Sequence, residues 1–343
     1  MRLLKYLLLL LMPLNAIAQE KIVNVYAWAN DVPTSLVQQF EKETGIKVNF
    51  STYSNNEIMF TKLRASQSAG YDIVMPSSYF VDRMQRQGML ATLDKSKLPN
   101  VKNLDAAFLT PAYDPTLNVS IPFVWGITGI FVNRQYHDAA KIKKWSDLWD
   151  QRYHNQLMLL DDIREVFSMA LLALHYSAND QNPAHIKAAF LKLKTLMPNV
   201  KVFSSETIIS DIIDDDATLG MAWNGDTFKA ARENASIDFV FPEDGFVIWV
   251  DNFSIPKNAQ HKEEAYQFIN FMLRPDIAKE TALLLDNSIT NAAGRQLLPE
   301  SIRHNPTIYP SKEVMRRGQF QTDVSEDTLT LLEQYWEELK IGG

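Results

Sequence analysis

IVNVYAWANDVPTSLVQQFEKETGIKVNFST, residues 22 to 52, changes period twice within one run. Ile22 to Tyr26 alternates and is rich in β-formers, the pattern of a strand. Pro33 to Thr44 then carries Leu36, Val37 and Phe40 at helical spacing and stops at Gly45, the residue type that most readily ends a helix. Lys47 to Thr52 returns to a strand. Strand, helix and strand in succession make a βαβ opening, and with it an α/β fold.

The alternation continues outward. Asn55-Asn56 caps a helix with Ile58, Met59 and Leu63; Ile73 to Met75 is a third strand, halted by Pro76, and Ser77-Ser78-Tyr79 starts the next helix. Ser120 to Val132, apolar, aromatic and punctuated by glycine, reads as a long strand or a pair of strands, the first crossing between two lobes. A second α/β unit follows. Ser146 caps a helix with Leu148 and Trp149, Leu157 to Leu160 is a strand, and Asp161 or Asp162 opens a helix to about Leu174. Later come a helix over Ile186 to Leu196 and strands at Lys201 to Phe203 and Leu219 to Trp223. Phe246 to Ile255, ahead of Pro256, is the second crossing, and helices over Lys262 to Leu273 and Ser325 to Leu339 finish the chain. The expected division is residues 19–124 plus 252–297 for one lobe and residues 125–251 plus 298–343 for the other. Strand ends of two such lobes face one another across a cleft, where open α/β sheets gather ligands.

The junctions at those strand ends share a chemistry. Trp28 precedes Asp31, Trp223 precedes Asp226, Trp249 precedes Asp251, and Trp125 follows an apolar strand. Indole faces attract cations and carboxylates accept N–H bonds, so the combination suits an organic ammonium group. Asp162 and Glu165, three residues apart, project to one side of a first helical turn and can share a ligand. Plainer readings compete: Asp162 and Glu165 also fit an N-cap and its capping-box partner, Trp125, Trp145 and Trp149 fit core positions, and Asp251 could pair with a lysine. The recurrence of the same two kinds of side chain at separate junctions favours a site.

Composition bounds the surroundings of that site. Arg2 and Lys5, an apolar run from Tyr6 to Leu14, and Ala16-Ile17-Ala18 form the three parts of a signal peptide over residues 1–18, which places the expected mature protein outside the inner membrane. The apolar run is shorter than the roughly 20 residues that span a bilayer. Cysteine is absent, which excludes disulfides, thiolate metal sites, a cysteine nucleophile and a lipid-modified cysteine. With 46% apolar residues over 343 positions the chain has material for two cores, and its formal charge of −7 disfavours nucleic acid and anionic lipid and favours cationic partners. The run Asp214-Asp215-Asp216 lacks the mid-loop glycine and closing glutamate of a calcium loop, no histidines show metal spacing, and no phosphate-loop, dinucleotide or nucleophile-elbow motif occurs, so neither metal nor cofactor is expected.

Several stretches resemble the periplasmic spermidine/putrescine-binding proteins of polyamine ABC transporters: Tyr26-Ala27-Trp28, the run from Phe40 to Val48, Pro76 to Tyr79, Asp94 to Leu98, Asp162 to Phe167, Trp223-Asn224-Gly225 and Asn270 to Asp276. The resemblance covers essentially the whole mature chain. It implies a type II periplasmic binding protein of two α/β lobes that closes by hinge motion around its ligand, a monomer that delivers polyamine to an inner-membrane permease without chemistry. It further implies that Trp28, Trp223 and Trp249 wall the ligand's methylenes, that Asp162, Glu165 and Asp251 take its amines, and that Ser77, Tyr79, Ser205 and Gln321 hydrogen-bond the ligand or its neighbours. Asp226 resembles the putrescine-preferring members. Two departures stand out: Ala29-Asn30-Asp31 follows the first tryptophan where the family often has a small hydroxyl residue, an acid and a tyrosine, and Asn287 stands where spermidine binders commonly have tyrosine.

Burying an uncompensated carboxylate costs several kcal/mol, so the empty cleft is expected to rest open until a cation arrives, while a ligand carrying its own carboxylate is repelled. Two alternatives remain: a receptor for another cation, such as a basic peptide or ferric ion, and a secreted glycoside hydrolase whose paired cleft acids, Asp162 with Asp251 or Asp226, flank a sugar stacked on tryptophan.

Overall fold

A computed structural model describes residues 21–29, 31–66 and 70–342. The expected signal peptide lies outside the described residues. β1 (Ile22–Trp28) pairs in parallel with β2 (Lys47–Tyr53) and β3 (Ile73–Val74), in the order β2-β1-β3. α1 (Thr34–Thr44) and α2 (Asn56–Ser66) make the crossovers, and α3 (Ser78–Arg86) follows β3. Gly45, at φ 70°, ends α1 by donating its N–H to Glu41 O.

The larger sheet is built on β4 (Ile121–Asn133), a single strand of 13 residues buried along its whole length. Around it stand β5 (Leu157–Leu159), β6 (Val200–Phe203), β7 (Leu219–Trp223), β8 (Ile237–Val240), β9 (Phe246–Phe253), β10 (Ser288–Ile289) and β11 (Gly318–Phe320), in the order β11-β9-β4-β7-β5-β6 with β8 and β10 also on β4. Residues 121–127 of β4 pair antiparallel with β9, and residues 128–132 pair with β7. One strand therefore enters both halves of the molecule. The helices that cover these strands are α4 (Ile163–Ala173), α5 (Pro183–Leu196), α6 (Ile208–Ile213), α7 (Asn224–Glu233), α8 (Lys262–Met272), α9 (Pro275–Leu285) and a last helix, Glu326–Gly342.

Two large apolar cores follow the same division. The first joins Val23, Val25 and Phe40 to Ile121, Ile127, Phe253 and Phe268; the second joins Ile130 and Phe131 to Leu157, Phe167, Leu193 and Met221. Burying a side chain such as Phe40 or Phe131 fully stabilises the fold by about 2 kcal/mol. Leu298, Ile308 and Tyr309, expected with the second lobe, pack in the first core. The helix expected from a Ser146 cap is a 3-10 turn, Trp145–Trp149, preceded by Lys144, with the Asp147 carboxylate accepting the N–H groups of Lys143 and Lys144.

Candidate functional site

Trp28, Asp31, Ser77, Tyr79, Asp162, Glu165, Ser205, Trp223, Asp226, Trp249, Asp251 and Gln321 all line one cavity of about 200 Å³ between the two halves. Strand ends put them there. Trp28 closes β1 and Asp31 follows in the turn before α1; Ser77 and Tyr79 start α3 after β3; Trp223 closes β7 and Asp226 lies in the first turn of α7. Trp249 and Asp251 alternate with a core-facing Val250 along β9, and Gln321 comes just after β11.

Asp162 is the N-cap of α4, accepting the N–H groups of Arg164 and Glu165 at 2.9 and 3.0 Å through one oxygen, Oδ1. The plainer reading of this residue therefore holds, and it also lines the cavity. Trp125 belongs to the core, its indole N–H donating to Ile289 O at 3.3 Å. Ser205 Oγ accepts the Asp161 N–H, and Tyr79 Oη accepts from Asn56 Nδ2 at 3.1 Å. The aromatic walls pair edge to face or tilted, Trp223 with Trp249 at 6.3 Å between centroids and Trp28 with Tyr53 at 4.9 Å.

Among the described residues the lining carries Asp31, Asp162, Glu165, Glu206, Asp226 and Asp251 and no lysine, arginine or histidine. Burial is the first cause of the raised pKa of each of five of them. It pushes Asp251 up to about 7 and Asp226 to about 6, raises Asp162, and lifts Glu165 and Asp31 well above the usual carboxylate range, with Asp162 adding repulsion at Glu165 and Asp251 adding it at Asp31. Indole N–H groups of Trp28 and Trp249, one oxygen each of Asp31 and Glu165, and Gln321 Nε2 are buried without partners. Unpaired acceptors of this kind in an apolar wall are costly until donors meet them.

Sequence reading missed part of the rim. Tyr53, Ser54 and Asn56 line the cavity from the β2–α2 junction, and residues 206–210 from the turn into α6. Asn56 is legible only in three dimensions: its amide donates to Ser77 Oγ and Tyr79 Oη, fixing the start of α3. Its neighbour Glu57, whose Oε1 is buried without a partner, is pushed up to about 7 by burial and by Asp162 from the other half.

The family model for bacterial extracellular solute-binding proteins matches residues 35–308. The spermidine/putrescine-binding periplasmic protein of Escherichia coli K12 is 44% identical over 317 residues, 92% of this chain and 91% of that protein. The putrescine-binding periplasmic protein PotF of the same organism is 33% identical over 87% of this chain and 85% of its own. Among solved structures, the spermidine/putrescine ABC transporter substrate-binding protein PotD of Streptococcus pneumoniae superposes with a TM-score of 0.80 at 31% identity, over 94% of this chain and 99% of that one. With its two α/β halves closed on one acid-lined cavity, the chain belongs to the bacterial extracellular solute-binding proteins.

Proposed function

We propose that this protein captures spermidine or putrescine in the periplasm and delivers it, as a monomer, to an inner-membrane ABC permease. The observation that carries the reading is a cavity walled, among the described residues, by three tryptophans and lined by six acids with no base. A linear di- or trication supplies the missing charge, and each buried methylene adds about 0.8 kcal/mol against the indole faces. In this reading Trp28, Trp223 and Trp249 hold the methylenes, Asp31, Asp162, Glu165, Asp226 and Asp251 take the amines, and Ser77, Tyr79, Ser205 and Gln321 support them. The signal peptide over residues 1–18 belongs to the same proposal. So does the division into lobes that close on the ligand, with residues 298–309 moved to the first lobe because Leu298, Ile308 and Tyr309 pack there. The glycoside-hydrolase alternative falls with family membership, since the match is to binding proteins.

Millimolar spermidine or putrescine should raise the melting temperature by mass action, by an amount set by ligand concentration over Kd. Asp251→Asn should abolish most of that shift. Unchanged melting of the wild-type chain with both polyamines would end the proposal.

A further inference from the structure

Between the two acids of α4, Asp162 and Glu165, stands an arginine that does not line the cavity. Arg164 is 3% exposed, and its neighbours Ile163, Val166 and Phe167 pack in the second core. What its guanidinium meets lies outside that half. The carbon Cζ stands over the Tyr79 ring, 5.0 Å from the centroid, and Nη2 donates to Thr322 O at 3.1 Å. Tyr79 belongs to the first half, in an apolar cluster with Tyr26 of β1, Tyr53 of β2 and Phe80. Thr322 belongs to residues 321–325, the segment that runs from β11 to the last helix.

Both contacts border the cavity. Tyr79 lines it, its hydroxyl accepting from Asn56, and Gln321, beside Thr322, lines it with an amide nitrogen that has no partner. The segment is held from two sides. From the second half, Asn179 Oδ1 accepts the Thr322 N–H at 2.9 Å. From the first, Arg83 of α3 donates to Asp323 Oδ1 and to Val324 O, each at 2.9 Å, and Ser78 Oγ donates to Gln321 O at 3.2 Å. A guanidinium suits the place of Arg164 because it is planar, stacks on an aromatic face while its N–H groups reach a carbonyl, and stays charged. That charge also opposes the rise that burial causes at Asp162, Glu165 and Glu57.

Resting on the polyamine reading, we propose that Arg164 is a clasp between the halves: it holds them shut over a bound polyamine and orients Tyr79 and Gln321, without touching the ligand. It is a positioning residue, acting through the Tyr79 ring and the 321–325 segment. A clasp that acts once the ligand has entered slows departure more than arrival, so its loss shows mainly in dissociation. Lysine keeps the charge but has no planar face, and does not replace it.

The test is Arg164→Lys and Arg164→Gln in the full chain with putrescine and with spermidine. Association and dissociation are followed by stopped-flow tryptophan fluorescence, and melting is measured without ligand. Both variants should dissociate about tenfold faster or more, with association within about twofold of wild type. Tyr79→Leu removes the ring from the opposite half and should speed dissociation too; combined with Arg164→Lys it should add little, because the two ends of one contact are not independent. Wild-type dissociation in Arg164→Lys overturns the proposal, since charge alone then suffices. So do effects of Arg164→Lys and Tyr79→Leu that multiply, and so does a loss confined to ligand-free melting, the mark of a purely structural arginine. Should neither arginine variant fold, Tyr79→Phe is set against Tyr79→Leu: phenylalanine keeps the ring under the guanidinium, so leucine should speed dissociation far more, and equal acceleration by both overturns the clasp. Absence of both a fluorescence change and binding heat with either polyamine in the wild-type chain overturns the functional reading itself.

Discussion

Gly126 sets the position of an indole that it does not resemble in any sequence motif. A Cβ at this site of β4 would run into the ring of Trp249 and stand 2.7 Å from Asn224 Oδ1, an atom already accepting the Ile127 N–H at 2.9 Å. Gly126→Ala must therefore tilt Trp249 or spread β4 from α7, an overpacking worth about 1–3 kcal/mol. We expect polyamine binding weakened about tenfold or more, read by titration calorimetry, together with a shifted tryptophan emission. The same residue shows what was legible and what was not. Trp249 and Asp251 could be singled out from their chemistry next to a crossing strand. The glycine that gives the indole its space could not, since a glycine in an apolar strand looks the same whatever approaches it. Glu57 was hidden for a related reason: a first-turn glutamate reads as an ordinary helix-start acid, and only its burial, with Asp162 approaching from the other half, makes it unusual.

At the scale of elements, long periodic segments were readable and short polar ones were not. β1, α1 and β2 fall where period and Gly45 put them. The stretch Ser120 to Val132, read as one strand or two, is one, because its glycines serve close packing against Trp249 and Phe239 rather than a turn. α7 escaped notice because it opens Asn224-Gly225-Asp226, a turn-like triplet, and β11 because Gly318-Gln319-Phe320 offers one apolar residue in three, unlike the equally short but wholly apolar β5. Asp114 illustrates how such a long strand is anchored. Its carboxylate, 2% exposed, accepts the N–H groups of Asn118, Val119 and Ser120 and the Ser120 hydroxyl at 2.8 to 3.0 Å, tying down the loop that feeds β4. Asp114→Ala strands those donors in a buried loop and should cost about 3 kcal/mol, measured by urea unfolding with an unchanged m-value.

The whole molecule carries the electrostatic cost of its site. Asp251 and Glu57 at about 7 and Asp226 at about 6 lie above the ordinary unfolded values. Acids raised on folding hold more protons folded than unfolded, so their contribution to stability is complete below about pH 4 and is lost as pH rises through about 7. A bound polyamine removes that penalty. The melting-temperature increase on adding spermidine should then be larger at about pH 8 than at about pH 5, where protons already do part of the same task; an equal increase at both would contradict the burial of these acids. The two cores differ in one further respect. The second is assembled almost entirely from an unbroken stretch, residues 130–247, whereas the first needs residues 23–127 together with residues 246–309. For a chain that emerges amino end first, the half that begins the sequence cannot be completed until residues 246–309 have been made, and its early strands must wait for partners more than a hundred residues downstream.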